Sequence, residues 1–396
     1  MIDKCPVCQS TNHKEVFHAT RVPLAPNAPI NKSDFDSEIF VELNIVQCQH
    51  CSLIYNKAFE PSMIEKIYTK NYSSGIPNSP KVLERYKKII DETILKENIE
   101  SQCVLEIGAS DFTFSELLIE RGAKKVIAFE PSNLFQTENP QIQHIDTFFS
   151  PEKIPVSSEE VDLIVMRHVL EHIPDPLATI AQLASIARPG LKLYIEVPNA
   201  QDIINNNRFY DFFYEHITYF NPELLTEIMR NFGFTTHNVT YLVQGQHFGI
   251  LCEKIEATHT SFSPIKAIEN IPVVAGFTSY TGEFLKKLQD AIDSYHKIAI
   301  YGAGNHGLGV AALLNIDSEK VQCFLDLNKM KAGKYSPKTH IPILPPQKEN
   351  LQDLDAIVII APLHQDEIAT DLKNKFAFTK DIWGTYPDIF NLHSVQ

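Results

Sequence analysis

The sequence predicts an α/β protein built from two Rossmann-like domains that follow a small metal-binding module. Three observations support this. The chain has 396 residues, more than one domain usually holds. Two long stretches alternate short apolar strands with amphipathic helices, which indicates parallel sheets with helical crossovers. Four of the seven cysteines form two CxxC pairs near the N-terminus. The predicted domains are 1–75, 76–255 and 256–396.

Composition excludes several classes of protein. With 44% hydrophobic and 21% charged residues, the chain has enough apolar material for globular cores and too much for a disordered chain. A formal charge of -14 disfavours nucleic acid or an anionic membrane as a partner. No secretory signal and no apolar run of the ~18 residues that span a bilayer is seen. We expect a cytoplasmic protein, and its oligomeric state stays open.

The N-terminal cysteines predict a metal site. In a reducing compartment, paired thiols more often bind metal than form disulfides. Two CxxC pairs can each present two thiolates to one tetrahedral zinc ion, and four protein ligands leave no position for a catalytic water. We therefore expect a structural zinc site, with a redox pair as the alternative. The ligands would be Cys5, Cys8, Cys48 and Cys51.

The first Rossmann-like domain follows from alternating patterns. Four strands alternate with helices, and the run ends with a helix capped by Asn221 and two strands close enough to pair antiparallel. A parallel sheet finished in this way fits a class I methyltransferase core. The segments are CVLEI, FTFSELLIERG, KVIAFE, VDLIVM, PLATIAQLASIARPG, LKLYIEV, NPELLTEIMRNFGF, THNVTYLV and FGILCEK.

The turn after the first of these strands predicts a cofactor site. In VLEIGASD, Gly108 lets the backbone approach a ligand at the carboxyl edge of the sheet, between Glu106 and Asp111. Glu130 ends the next strand about 20 residues on and can accept both hydroxyls of a ribose. The acidic turn suits the sulfonium of S-adenosylmethionine better than a pyrophosphate. The alternative is that these acids are solvated strand ends.

The C-terminal region predicts a second nucleotide-type fold. Residues 256–281 have the composition of a connector, and the helix GEFLKKLQDAIDSYHK follows. Gly302, Gly304 and Gly307 then form a GxGxxG turn after a strand, and Asp326 ends the next strand. Taken alone, this motif is typical of a dinucleotide site, so an NAD-dependent oxidoreductase is an alternative.

Several motifs together resemble a known family. They are the CxxC pairs, VLEIGASD with FEPS, RHVLEHIPDP with IEVPN, YEHITYF, and YGAGNHG with DLNKMKAGKYSPKTHIPI. Their order and identity resemble the sugar C-methyltransferases of deoxysugar biosynthesis over nearly the whole chain. The resemblance implies zinc in the first domain, S-adenosylmethionine in the second, and a nucleotide-linked keto sugar held between domains.

The resemblance also implies catalytic residues. His216 of YEHITYF corresponds to the base that removes a proton beside the ketone, and Glu215 to its carboxylate partner. Phe213 stands where the family has a tyrosine, so Tyr214 is the available hydroxyl. Phe112 stands where the cofactor loop of the family has its second glycine. The alternative for His216 is that it caps the helix that starts at Asn221.

Further residues complete the expected site. His172 and Tyr72 are assigned to the neighbourhood of the sugar, and Arg167 and His168 to the cofactor. Glu171 replaces a small residue of the family. In the third domain, we expect the nucleotide-sugar to contact Gly302, Gly304, His306, Asp326 and Lys331.

The sequence thus predicts methyl transfer to carbon of a nucleotide-linked keto-deoxysugar. Two alternatives stay open. The acceptor could be oxygen or nitrogen of another small molecule, or the chain could be a non-catalytic nucleotide-sugar binding protein.

Overall fold

The structure is a computed structural model that describes residues 2–26, 28–64, 80–94, 102–132, 134–255, 276–386 and 388–392. Tyr72 lies outside these residues. No helix of the described residues combines the length and apolar character needed to cross a membrane.

The strands follow the alternation predicted from the sequence. In chain order they are β1 (His13–Pro23), β2 (Phe40–Cys48), β3 (Ile54–Asn56), β4 (Cys103–Ile107), β5 (Lys125–Phe129), β6 (Ile142–Ile145), β7 (Leu163–Arg167), β8 (Lys192–Pro198), β9 (Thr218–Tyr219), β10 (Phe234–Leu242), β11 (His247–Lys254), β12 (Ile298–Tyr301), β13 (Val321–Leu325), β14 (Ile343–Leu344), β15 (Ala356–Ile359), β16 (Asp381–Gly384) and β17 (Phe390–Asn391).

The α-helices lie mostly between these strands. They are α1 (Pro80–Ile89), α2 (Thr113–Glu120), α3 (Pro176–Ile186), α4 (Ala200–Asn205), α5 (Pro222–Asn231), α6 (Phe277–Asp293), α7 (Asn305–Leu313), α8 (Lys348–Leu351) and α9 (Gln365–Asn374). A π-helical turn, Ile90–Ile94, continues α1.

Two compact units divide the chain. Unit 1 holds Met1–Glu15, Ile45–Asn206 and Glu215–Val273, and unit 2 holds Val16–Asn44, Asn207–Tyr214 and Val274–Gln396. The units therefore cut across the boundaries 1–75, 76–255 and 256–396, and that three-domain division stays a prediction. A four-stranded sheet has the order β1-β2-β3-β9.

Unit 1 has the expected class I methyltransferase sheet. Its order is β10-β11-β8-β7-β4-β5-β6. Strands β4 to β8 are parallel, and β11 runs antiparallel to both β8 and β10. The parallel strands are buried on both faces, which is why they read as continuous apolar runs. Their carboxyl ends share one edge of the sheet.

Local signals set the bounds of α5 as predicted. The side chain of Asn221 accepts the Leu224 N–H at 2.8 Å, Pro222 is the first helical residue, and Gly233 follows the helix at a φ of +78°. Asn221 thus caps the helix with its own side chain. The alternative role for His216 as that cap is wrong.

Unit 2 has a second Rossmann-like sheet, in the order β14-β13-β12-β15-β16-β17. The strands are parallel except β17. The expectation of a connector over 256–281 was wrong in its last part, because α6 begins at Phe277. Phe277 is 1% exposed, and its burial extends the helix beyond the amphipathic run that the sequence shows.

Candidate active site

The turn after β4 is built as the glycine signature predicts. Gly108 has a φ of +78°, and its N–H donates to the Phe129 carbonyl at 2.8 Å. A Cβ added to Gly108 would lie 2.3 Å from Cγ2 of Val169. Because both the left-handed backbone and the close approach exclude a side chain, only glycine fits this position.

Phe112 takes the place of the second glycine without removing the turn. It has a φ of +62°, and α2 begins at the next residue. Its ring is 1% exposed and meets the edge of His144 at a centroid distance of 4.9 Å. Burial of the ring offsets the left-handed backbone, which costs about 1–2 kcal/mol for a side-chain-bearing residue.

Three carboxylates stand around this turn. Glu130 accepts the N–H of Ser110 at 2.8 Å and that of Ser132 at 2.9 Å, so it bridges the loops after β4 and β5. Asp111 accepts the Thr113 N–H at 3.1 Å. Glu106 is 2% exposed, and burial raises its pKa to about 7 although the hydroxyl of Ser115 donates to it. The four residues predicted from the motif therefore lie along one sheet edge.

A buried ion pair lies at the same edge. Arg167 ends β7, and its Nε donates to Glu196 of β8 at 2.7 Å. Its guanidinium carbon lies 4.2 Å from the ring centroids of both Tyr86 and Phe114. One terminal nitrogen of Arg167 is buried and has no hydrogen-bond partner among the described residues. Glu196 has 0% exposure, and although burial opposes its charge, Arg167 and His168 lower its pKa well below the ordinary value.

His168 sits between two carboxylates. Its Nε2 lies 3.1 Å from Glu196 and its Nδ1 lies 3.4 Å from Glu171. Burial disfavours the charged ring, but the two carboxylates outweigh it and raise the pKa of His168 to about 9. The residue has a φ of +53°, and its ring meets His247 at a centroid distance of 4.8 Å. Backbone strain of this kind concentrates at functional sites.

The predicted catalytic histidines come together. The rings of His172 and His216 lie edge to face, with centroids 4.7 Å apart. Nδ1 of His172 lies 3.0 Å from the Glu215 carbonyl, and the Ile217 N–H donates to the Glu171 carbonyl at 2.7 Å. These bonds fix the YEHITYF segment against RHVLEHIPDP. Burial, and then the neighbouring His172, lowers the pKa of His216 well below its ordinary value, so its ring is neutral.

Tyr214 and Phe213 belong to unit 2, whereas Glu215 and His216 belong to unit 1. Both aromatic rings line a largely apolar cavity of unit 2 together with Val22, Leu43 and residues of α7. Tyr214 is 3% exposed. Tyr214, whose hydroxyl is expected to replace that of the family tyrosine, is thus one of the residues that line this cavity.

Two side chains of unit 2 hydrogen-bond to the backbone of its glycine turn. Asp326 accepts the Ala303 N–H at 3.0 Å, and Lys331 donates to the Ala303 carbonyl at 2.8 Å and to Asp326 at 3.2 Å. Gly302 has a φ of +112°. A Cβ on Gly304 would meet no atom within 4 Å.

His306 at the start of α7 is also engaged within unit 2. Its Nε2 lies 2.6 Å from Asp211, which pairs with Arg208 at 3.1 Å. Its ring meets Tyr210 at a centroid distance of 5.0 Å. His306 thus holds the segment Asn207–Tyr214 against α7.

The THIPI run of unit 2 has a partner that the sequence did not predict. Glu38 accepts the Lys338 N–H at 2.7 Å and bonds the ring of His340, and Phe35 stacks on that ring with centroids 3.8 Å apart. Ile30 exchanges two backbone hydrogen bonds with Tyr335. This run therefore holds the loop between β1 and β2.

The four N-terminal cysteines converge. Sγ of Cys5 lies 3.5 Å from that of Cys51, and Sγ of Cys8 lies 3.4 Å from that of Cys48. All four sulfurs lie within 4.8 Å of one another. A tetrahedral zinc ion with bonds of ~2.3 Å separates its sulfurs by roughly 3.8 Å, so the donor set fits zinc. The backbone N–H of His50 donates to Sγ of Cys48 at 3.4 Å.

Sequence reasoning missed Glu196, His247 and Asp211. Glu196 carried a signal, because it is an acid inside the apolar strand LKLYIEV, and a buried charge in such a strand needs a partner. His247 and Asp211 carried none, since His247 meets His168, and Asp211 meets His306, only when distant segments pack together.

Comparison with known proteins agrees with this geometry. Residues 81–239 match the family described as methyltransferase domain, and residues 275–381 match the family described as C-methyltransferase C-terminal domain. The fold and the matched domains define the chain as an S-adenosylmethionine-dependent methyltransferase. The second match is to a domain of C-methyltransferases. The chain is therefore a C-methyltransferase in which this C-terminal domain follows the methyltransferase domain.

Individual relatives are distant. The chain is 22% identical to the C-methyltransferase NovU of Streptomyces niveus over 393 residues, covering 94% of this chain and 92% of that protein. It is 27% identical over 122 residues to a tRNA U34 carboxymethyltransferase of Nautilia profundicola, covering 28% and 40% of the two chains. A solved 1,6-didemethyltoxoflavin-N1-methyltransferase of Burkholderia thailandensis is 14% identical with a TM-score of 0.37, covering 52% of this chain and 96% of that one.

Proposed function

We propose that this C-methyltransferase acts on a nucleotide-linked keto-deoxysugar and methylates the carbon beside the ketone. The observation that carries the proposal is the pair His172 and His216, because a half-buried, neutral His216 can accept a proton. Val169, three residues before His172, touches the cofactor turn at Gly108. This contact supports His216 as the proposed base near the cofactor turn.

The residues of unit 1 fit S-adenosylmethionine. Glu130 is placed to accept ribose hydroxyls, Gly108 permits close backbone approach, and the unsatisfied nitrogen of Arg167 is suited to a carboxylate. His168 neighbours Arg167 at the same edge. When bound, the cofactor supplies an electrophilic methyl group.

The chain itself manages the proton. His216 accepts the proton from the carbon beside the ketone, and the electron pair of that C–H bond becomes the enolate that forms the new carbon–carbon bond. His172 keeps its own proton on Nδ1 because this N–H donates a hydrogen bond to the Glu215 carbonyl. Glu215 adjoins the base and positions substrate or histidine. Tyr72 and Tyr214 are the hydroxyls proposed to approach the sugar.

The nucleotide is proposed to bind at the glycine turn of unit 2. Gly302 and Gly304 expose backbone before α7, whose N-terminus favours anions. Lys331 and Asp326 are engaged with Ala303 and with each other, so a diphosphate would share Lys331 with this turn. His306 would shape the site through Asp211. The cysteine cluster is proposed to hold structural zinc.

The experiment is methyl transfer from isotopically labelled S-adenosylmethionine to a panel of nucleotide-linked keto sugars. We expect label at a sugar carbon, a loss of at least a hundredfold in His216→Ala, and no loss in His237→Ala, an exposed histidine of β10. A methyl resonance on oxygen or nitrogen would refute carbon as the acceptor. If calorimetry detects no binding of S-adenosylmethionine, the chain would instead be a non-catalytic nucleotide-sugar binding protein. NAD binding together with hydride transfer would favour the NAD-dependent oxidoreductase.

A further inference from the structure

Glu171 is a buried carboxylate whose one charged neighbour among the described residues, the ring of His168, faces only one of its two oxygens. It is 1% exposed, and neither of its oxygens accepts a hydrogen bond from the described residues. The nearest charged group is Nδ1 of His168, 3.4 Å from one oxygen. Burying a carboxylate without hydrogen bonds is costly, so the site favours a further positive group beside the second oxygen.

His172 has the tautomer of many metal-binding histidines. Its Nδ1 faces the Glu215 carbonyl at 3.0 Å, and because a carbonyl can only accept, the ring proton is on Nδ1. The lone pair of the ring is therefore on Nε2. Histidines that bind metals commonly donate their other nitrogen to a carbonyl in this way.

The donor atoms of three side chains converge. One ligand atom from each of Glu171, His172 and His216 lies within 4.8 Å of the others. Bonds of ~2.1 Å to a metal ion require somewhat shorter separations, so binding would draw the three side chains closer together. One carboxylate and two imidazoles are the donors that Zn²⁺, Co²⁺ and related ions prefer.

A second group of residues is geometrically similar but unsuited to a metal. It consists of His168, Glu196 and His247. Both ring nitrogens of His168 face carboxylates, at 3.1 and 3.4 Å, so both carry protons. That ring has no lone pair to offer, and the group already forms its own ion pairs.

We propose that Glu171, His172 and His216 bind a divalent first-row transition-metal ion, and that this ion excludes the use of His216 as a base. The lone pair of His216 that coordinates a metal cannot accept a proton from substrate. Metal binding would then inhibit methyl transfer. The inhibition rests on the proposed function, whereas the binding does not.

The test is a Co²⁺ titration of the full chain loaded with one equivalent of zinc, without substrate. We expect d–d absorption of a nitrogen and oxygen site, without the sulfur-to-cobalt charge-transfer band of a thiolate site. Glu171→Gln and His172→Gln should each weaken this binding at least tenfold. His237→Gln, which changes an exposed histidine of the same unit, should bind as the wild type does.

A readout on the unaltered protein guards against misfolded variants. Co²⁺ should shift and broaden the ring signals of His172 and His216 in NMR spectra, before those of His237. A titration that produces neither the d–d absorption nor the NMR shifts would overturn the site. Equal Co²⁺ affinity of Glu171→Gln and the wild type would also overturn it. Where methyl transfer is active, its inhibition should follow the absorbance titration, and full activity at saturating Co²⁺ would also overturn it. Binding with no sugar methylated would refute only the proposed function.

Discussion

The buried pair of Arg167 and Glu196 gives the sharpest test of how unit 1 is stabilised. Glu196→Gln keeps the shape of the side chain and removes the charge that neutralises Arg167, whose side chain is 7% exposed. The two aromatic rings beside the guanidinium remain in the variant. Because they stabilise the charge of Arg167 equally in the wild type, they do not replace the lost carboxylate. Removing one partner of a buried pair leaves an uncompensated charge, which costs about 3–5 kcal/mol.

The assay is urea denaturation, with hydrogen exchange of the β7 and β8 amides as a local measure of unit 1. The control is Glu227→Gln, which removes a carboxylate from the exposed pair with Arg230 of α5 and should cost less than about 1 kcal/mol. Arg167→Met combined with Glu196→Gln should be more stable than Glu196→Gln alone, since no isolated charge remains. Equal costs for Glu196→Gln and Glu227→Gln would refute the reasoning.

Three further predictions concern other positions. The free energy of unfolding of Glu106→Gln should rise by about 3 kcal/mol relative to that of the wild type between pH 4.5 and 8. The reason is that the pKa of Glu106 is raised from 4.5 to about 7 in the folded protein, so the wild type loses stability as pH rises through that window. The same pH dependence of urea unfolding in both proteins would contradict this. Gly108→Ala should abolish S-adenosylmethionine binding in calorimetry, with partial recovery on adding Val169→Ala, whereas Gly304→Ala should fold with near-normal stability. Glu38→Gln should lower the free energy of unfolding of unit 2 by about 1–3 kcal/mol, measured by the fluorescence of the single tryptophan. An unchanged melting curve would refute the anchoring role of Glu38.

Much of unit 1 could be predicted because its signals are local. Apolar runs gave the parallel strands, Asn221 and Gly233 gave the bounds of α5, and the glycine after β4 gave the cofactor turn. Each depends on the conformational preferences of a few neighbouring residues. The departure at Phe112 was also visible, but its outcome depends on burial of the ring, which local sequence does not show.

The start of α6 and the partner of the THIPI run could not be predicted in this way. Phe277 continues the helix because unit 2 buries it, in a region whose composition resembles a connector. Glu38 and His340 are 302 residues apart, and no periodicity links them. Such contacts form only when distant segments of the chain pack together. Local sequence patterns therefore do not reveal them.

The sequence by itself determined the methyltransferase-type sheet, the glycine turn after β4 and the grouping of the four N-terminal cysteines, since periodicity, backbone freedom and ligand spacing are properties of short segments. The tertiary structure decided which ionisable groups carry charge. His168 is held charged by Glu196 and Glu171, whereas half-buried His216 is neutral beside His172. Protonation depends on burial and on charges a few ångströms away, and these are set only when distant segments meet at one edge of the folded sheet.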